Sequence, residues 1–313
     1  MISVIITSFK EPHTIGKCIQ CIADKKYSGI IKPFEIIQVS PDELTLKAGK
    51  KMANILKLSN SEYHHIIDPH KGKPYALKLA LKKAKGDIII LTDGDTFFGE
   101  NAVAELIKPF ENAKIGGVSG RPVSQDSREN IFGYWGHLLS ESGDHRRRNT
   151  MQEVRRNGYY VSGKSFYPMS GYIMAIRNID LKIPDNVLSD DAYISYSLRN
   201  DGYEIAYNPN ATCYVKYPTN LKDYYKQKVR SLGGFKQLKK FGIFKKDKQS
   251  RSFFIELPYA FFVLKYPRNV KEFVWSLLLF PVRLITWIKI FWERDILRKD
   301  MPSTGWERIE STK

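Results

Sequence analysis

Two aspartates with a single glycine between them, Asp93 and Asp95, end the apolar run IIILTDGDTF at positions 88–97. Burying even one uncompensated carboxylate costs several kcal/mol, so this pair needs a compensating partner. An Asp-x-Asp turn aims both carboxylates at one point, an all-oxygen donor set suited to a hard cation such as Mg2+ or Mn2+. Gly94 between them lets the backbone come close to a bulky ligand. A divalent ion held there could bridge a nucleotide diphosphate and stabilise its departure.

A second acidic pair, Asp190 and Asp191, sits in VLSDDAYISYSLRNDGYEI. Ser189 is a candidate helix N-cap, which would put both acids in a first helical turn where the macrodipole favours their ionised form. Helix-start acids and a general base held in a cleft both satisfy this pattern. Gln227 and Arg230, in QKVRSLGG, combine an amide with a cation able to grip phosphate. Cys18 and Cys21 form CIQC, a redox pair by spacing or two small core residues by position, since they fall inside a helical period rather than at its first turn. His64, His65 and His70 make no metal-ligand spacing.

These residues must be positioned by regular elements. Apolar runs predict strands at 3–7, 34–39, 63–67 and 88–92, and helical periods predict helices at 14–23 and 46–58 and over PYALKLALKKAKG, which stops at Gly86. This alternation predicts an α/β fold with a mostly parallel, doubly wound sheet and crossover helices. Such sheets bind ligands beyond the carboxyl ends of their strands. The loops SFKEPHT and SPDE and the Asp93 to Asp95 turn therefore face one crevice. Residues 117–171 are less regular, and SGDHRRRNTMQEVRRNG within them reads as a solvated face or mobile loop, the alternative being contact with an acidic substrate or lipid phosphate. A short helix at 192–203 and strands at 204–207 and 211–215 follow.

The 313 residues carry a formal charge of +17, which implies an anionic partner. Three cysteines provide no disulfide framework and point to a reducing compartment; the opening MISVIITSF resembles a strand rather than a secretory signal. Beyond Gly234 the chain turns basic in FKQLKKFGIFKKDKQSR and then apolar in SFFIELPYAFFVLKYP and FVWSLLLFPVRLITWIKIFW. The last run could span a bilayer by length, but Pro281, Arg283 and Lys289 interrupt it. At about 100° per residue, Glu272, Ser276, Arg283, Thr286, Lys289 and Glu293 share an arc of roughly 140°. One polar face, with Trp275, Trp287 and Trp292 suited to interfacial depth, favours a helix lying in a membrane interface; a helix packed on the domain or in a dimer, and a spanning helix, are the alternatives.

The ordered motifs VIITSFKEPHTIGKCIQCI, KGKPYALKLAL, TDGD, PMSGYIMAIR, LSDDAYISYSLRNDGYEIAYNPNATCYV and QKVRSLGG together resemble family 2 inverting glycosyltransferases with the GT-A fold, similar to membrane-associated polysaccharide-synthase-like members. The resemblance covers residues 1–234 as a nucleotide-sugar domain and leaves 235–313 as a basic, amphipathic helical extension. It implies that Thr7, Glu11, Asp42, Asp68, Lys73, Asp93, Gln227 and Arg230 meet the donor nucleotide, and that Asp95, with Asp93, holds Mg2+ or Mn2+. It further implies that Met169, Ser170, Gly171 and Tyr172 line the acceptor side, and that Asp191 is the catalytic base with Asp190 beside it. QVSPDE lacks the family's paired acids around Asp42, and Ser231 stands in place of the tryptophan of the Q-x-x-R-W signature.

The implied activity is hexosyl transfer from a nucleotide-diphosphate sugar to a hydroxyl of a glycan or lipid-linked acceptor, at the cytoplasmic face of an anionic membrane, by a peripheral or monotopic enzyme. The rival is a catalytically inactive, basic membrane-surface or nucleic-acid-binding protein on the same fold. Against nucleic acid stand the clustered acids and the lack of an RNP-like aromatic pair or zinc-ligand set, so no nucleic-acid partner is expected.

Overall fold

The apolar runs of the first hundred residues form β1 (Ile2–Thr7), β2 (Phe34–Ser40), β3 (Tyr63–Ile67) and β4 (Ile88–Asp93), parallel and in spatial order β3-β2-β1-β4. The computed structural model describes residues 1–29, 33–245, 247, 250, 253–297 and 309–312. Lys246, Lys248, Gln249 and Arg251 of the basic stretch, and Ser252 after it, lie outside the described residues.

Helices α1 (Ile15–Ala23), α2 (Glu43–Ile55) and α3 (Lys73–Leu81) make the crossovers. Along β1, Val4 and Ile6 enter one core with Ile15, Ile19 and Ile22 of α1, while Ile5 enters the other with Ala76, Leu77 and Ala80 of α3. Burial on both faces is why these strands read as continuous apolar runs.

The chain continues through β5 (Phe97–Phe98), α4 (Ala102–Ile107), β6 (Ile115–Ser124), α5 (Ile131–Thr150), β7 (Gln152–Val154), β8 (Tyr159–Val161), β9 (Ile173–Arg177), α6 (Asp190–Asn200), β10 (Glu204–Val215), α7 (Leu221–Lys240) and α8 (Val270–Phe291). The completed sheet has the order β3-β2-β1-β4-β9-β6-β10-β8-β7, with β5 paired to β10. β9 runs antiparallel to both β4 and β6, and β6 is parallel to β10, so β1 to β4, β6 and β10 share one direction.

Several boundaries differ from the sequence expectation. α2 begins at Glu43 and ends at Ile55, because Asp42 caps it: its Oδ1 accepts from the Thr45 N–H at 2.9 Å. α3 stops at Leu81, and Gly86 is no helix cap. Its N–H donates to Ser3 Oγ at 2.7 Å, and a Cβ there would collide with the Ser3 backbone, so close approach to β1 demands the glycine. The strands expected at 204–207 and 211–215 are one strand, β10, whose register against β6 shifts between Tyr207 and Thr212.

The 20-residue helix α5 was masked by Gly133, Gly136 and Gly143, each costing a helix about 1 kcal/mol relative to alanine. It carries Arg146 and Arg147 into the interior, each 7% exposed, where a solvated face was expected. Cys18 and Cys21 are free, buried thiols; burial pushes both pKa values up, away from the thiolate a redox pair requires.

The polar arc of α8 faces the domain from Glu272 to Thr286, while Lys289 is exposed. Glu272, Ser276 and Thr286 are buried; Arg128 holds Glu272 at 2.7 and 2.9 Å, Tyr134 Oη lies 2.6 Å from Ser276 Oγ, and Arg283 pairs with Glu256. Leu277, Leu278, Leu284, Ile285 and Ile288 point outward. The helix is long and apolar enough to cross a membrane.

Candidate active site

Strand register brings the site together. Thr7 is level with Val39 on one side and Asp93 on the other, so the loops after β1, β2 and β4 leave the sheet along one edge. Because β9 is antiparallel to β4, with Ile173 opposite Thr92, the segment leading into β9 lies at that same edge. Thr92 Oγ1 donates to the Tyr172 carbonyl at 2.7 Å and fixes it there.

A smaller cavity of about 300 Å³ is lined by Thr7, Glu11, Asp68, Lys73, Asp93, Asp95, Tyr172, Gln227 and Arg230. A larger one of about 790 Å³ is lined by Ser170, Gly171, Asp190 and Asp191, and shares Lys73, Asp93, Tyr172, Gln227 and Arg230 with the first. The sequence-derived candidates thus converge, except two. Met169 is 2% exposed in the core and lines neither cavity. Asp42 also lines neither; it accepts from the Lys10 N–H at 2.7 Å and Ser40 Oγ at 3.0 Å besides capping α2. Burial pushes the Asp42 carboxyl up, but these bonds outweigh it and hold the group below its ordinary value.

Asp93 is anchored from two sides. Thr7 Oγ1 donates to Asp93 Oδ1 at 2.8 Å, and Lys73 Nζ lies 2.6 Å from the same oxygen. Lys73 also reaches to 3.9 Å from Asp190, so one ammonium links the two acidic motifs. Burial would push that ammonium's pKa down, but Asp93, Asp190 and Asp191 outweigh it and hold the pKa above its ordinary value.

Gly94 makes room for the protein's own first loop. A Cβ there would collide with Glu11 Oε2 and lie 2.8 Å from Ser8 Cβ, so its absence lets the first loop lie against the acidic turn. Asp68 is 5% exposed; burial raises its carboxyl above the ordinary value, partly offset by the His70 N–H at 2.8 Å.

Asp191 starts α6. Its Oδ2 accepts from the Gly171 N–H at 3.2 Å and its Oδ1 from the Ala192 N–H at 2.7 Å. Ser189 occupies the N-cap position but makes no side-chain cap bond; helix α7 packs so closely here that a Cβ at Gly234 would collide with Ser189 Oγ. Ser195 Oγ donates to the Asp191 carbonyl at 2.7 Å and accepts from the Met169 N–H at 3.0 Å, tying the 169–172 segment to the helix start. Burial and the neighbouring Asp190 push the Asp191 carboxyl up to about 6, against the lowering effects of the backbone donors and Lys73. A carboxylate with a pKa near 6 is a stronger base than an exposed aspartate and is still ionised at neutral pH.

Asp95 and Asp93 offer the oxygen donors that Mg2+ or Mn2+ prefers, and no group of three or more His, Cys, Asp or Glu side chains suited to a metal occurs among the described residues. Few protein ligands fit Mg2+ in particular, which typically keeps one or two carboxylates and completes its shell with waters and substrate phosphates. The donor set therefore fits a cation that binds together with a diphosphate.

Sequence reasoning missed part of the lining. Arg146 and Arg147 from α5, and Pro281, Arg283, Leu284 and Trp287 from α8, line the larger cavity. Ile309 and Thr312 line the smaller one, where Ser311 accepts from the Thr219 N–H at 3.2 Å and donates its own N–H to Asp223 at 3.0 Å. The arginine run signalled the first group; nothing local signalled the last.

A sequence profile described as "Glycosyltransferase like family 2" matches residues 1–234. The poly-beta-1,6-N-acetyl-D-glucosamine synthase of Staphylococcus aureus (strain COL) is 24% identical over 232 residues, 73% of this chain and 53% of that protein. The chain thus spans about half the length of this curated relative. Among solved structures, the mannosyltransferase PcManGT from Pyrobaculum calidifontis, in complex with GDP-Man and Mn2+, superposes with a TM-score of 0.56 at 16% identity over 97% of this chain and 77% of its own. The 1-349 portion of S. aureus TarS does so with a TM-score of 0.52 at 14% identity, over 96% and 93%. At such identities the likeness is one of fold. With the profile covering most of the chain, the protein belongs to the glycosyltransferase-like family 2.

Proposed function

We propose that the protein is a metal-dependent inverting glycosyltransferase that moves a sugar from a nucleotide-diphosphate donor to a hydroxyl of a glycan or lipid-linked acceptor at a membrane surface. The observation that carries this reading is the pair of cavities separated by Lys73, Asp93, Tyr172, Gln227 and Arg230, with Asp191 lining only the larger. The nucleotide occupies the smaller cavity and the acceptor the larger. Arg230 and Gln227, which line both, grip the diphosphate between them.

An acceptor hydroxyl is a poor nucleophile, and Asp191 takes its proton as the oxygen attacks the anomeric carbon opposite the leaving diphosphate. One displacement inverts the anomeric configuration. The Gly171 N–H and Ser195 keep Asp191 oriented, and Lys73 places its charge between Asp93 and Asp190. A divalent cation held by Asp95, with Asp93, would supply neutralisation of charge on the leaving diphosphate.

The outward apolar face of α8 supports placement at a membrane surface, and the +17 charge supports an anionic leaflet. The extension at 235–313 then acts as a membrane-facing annex to the domain at 1–234, although α7 runs without a break across that boundary.

The test is donor binding across a panel of nucleotide sugars with Mg2+ or Mn2+. N-acetylglucosamine and mannose donors come first, given the relative named for poly-beta-1,6-N-acetyl-D-glucosamine and the GDP-Man complex. Metal-dependent binding of at least one donor is expected; a panel in which none binds with either ion defeats the proposal.

A further inference from the structure

The larger cavity extends well past the shared wall, between α5 and α8, and its two sides differ in chemistry. On the α5 side lie Arg146 and Arg147, each 7% exposed. Arg146 lies 3.6 Å from Glu256, donates to the Ser250 carbonyl, and has its guanidinium 4.6 and 4.8 Å from the rings of Tyr167 and Tyr259. Arg147 donates to the carbonyls of Gly143 at 3.4 Å and Pro168 at 3.3 Å and lies 5.0 Å from the Tyr167 ring. Its buried Nε has no hydrogen-bond acceptor, and no carboxylate lies within 4.0 Å of its guanidinium among the described residues. A guanidinium cannot shed its proton, so a buried one without a counter-ion is a costly charge that an incoming anion would neutralise.

The opposite side is mostly apolar, formed by Leu279, Phe280, Pro281 and Trp287, and the one cation α8 adds to it, Arg283, is paired with Glu256. Leu257 and Leu284 also line the cavity, yet are 56% and 49% exposed, so the cavity reaches the same outer surface that displays Ile285 and Ile288. A wholly polar ligand would leave that wall wet, and a wholly apolar one would leave Arg147 uncompensated.

We infer that the larger cavity receives an anionic lipid: an acceptor whose hydroxyl-bearing head is joined through a phosphate or diphosphate to an apolar chain. The phosphate rests against Arg147 and Arg146, and the chain runs past Trp287 and Leu284 to the outer face of α8. This rests on the transferase reading and narrows its acceptor from any glycan or lipid-linked hydroxyl to a phosphate-bearing lipid. In the transfer, the acceptor oxygen bonds to the anomeric carbon, the bond from that carbon to the diphosphate oxygen breaks, and the nucleoside diphosphate leaves. The hydroxyl proton passes to Asp191, and the lipid phosphate changes no bond.

The test uses the full chain and three probes, farnesyl diphosphate, farnesol and inorganic diphosphate, with EDTA present and tryptophan fluorescence as the readout, since Trp287 lines the cavity. Farnesyl diphosphate is expected to bind at least tenfold more tightly than either of the others. Equal binding of farnesol would remove the anion site, equal binding of inorganic diphosphate would remove the chain site, and either result overturns the inference. Arg147→Met is expected to cut farnesyl diphosphate affinity at least tenfold while Arg147→Lys retains most of it; a folded Arg147→Met with unchanged affinity also overturns it. Leu284→Asp, at an exposed position that folding tolerates, probes the chain from the other wall with an expected tenfold loss. Donor binding with Mn2+ is measured in parallel. Its failure sinks the transferase reading, whereas intact donor binding without the lipid preference sinks only this inference.

Discussion

Asp191, the base of the proposed transfer, owes its raised pKa first to burial. Its carboxyl is raised to about 6, so below that pH it is increasingly protonated and cannot accept the acceptor proton. Transfer is expected to fall about tenfold per pH unit below 6 and to level off above it, read from kcat/KM across pH 4.5 to 8. Asp191→Asn should keep donor binding and lose transfer by about 10²–10⁴-fold. Asp95→Asn should lose both; calorimetry with the donor and a transfer assay on each variant separate the two roles, and the reverse pattern would exchange them. Gly94 makes a different kind of demand. Gly94→Ala would drive a methyl into Glu11 and Ser8, so a loss of about 1–3 kcal/mol is expected in denaturant unfolding, with donor affinity falling as the first loop is displaced.

At the scale of elements, the acids at the end of β4 and the start of α6 were legible in the sequence, because a strand end and a helix start are local events. Asp191, the proposed base, came into position through contacts that are not local: β9 enters the sheet reversed, and Ser195 ties its leading segment to α6. Helix α5 was unreadable, since three glycines and a mixed face hide its period, and with it went the burial of Arg146 and Arg147. Helix α8 was readable as an amphipathic helix but not as to which face turns inward. Its anchor is Arg128, which holds the Glu272 carboxyl down to about 2 from its ordinary 4.5. A depressed carboxyl contributes stability above its unfolded value, and that contribution is lost as pH falls from about 4.5 through about 2. Glu272→Gln should cost about 1.5–3 kcal/mol at neutral pH as a charge-assisted hydrogen bond is weakened. In thermal unfolding the gap between wild type and this variant should narrow as pH drops below 4.5; a gap independent of pH would mean that the ion pair is not what holds the helix.

Across the whole molecule, a sheet edge carrying a cluster of acids lies beside a helix whose apolar face looks outward. Flotation with vesicles containing anionic lipid should recover the full chain, and raising salt should weaken but not abolish recovery, since screening acts on the basic residues alone. Replacing Leu278, Ile285 and Ile288 with aspartate should reduce recovery at least tenfold, because each inserted side chain contributes on the order of 1.5–3 kcal/mol when fully buried. Unchanged flotation would assign membrane attachment elsewhere. The sequence by itself determined the alternating strands and helices, the acids at their ends and the order of motifs that marks the family, since periodicity and strand-end chemistry are written within a few residues of one another. Only the tertiary structure decided that Asp42 caps a helix instead of lining a cavity, that Gly94 makes room for Glu11, that Arg147 lies buried with no carboxylate within 4.0 Å among the described residues, and that most of the polar arc of α8 faces inward. Each of these depends on what packs against the residue from a distant part of the chain. A pattern along one element specifies that its two faces differ, while the neighbour that covers one of them decides which face is the interior.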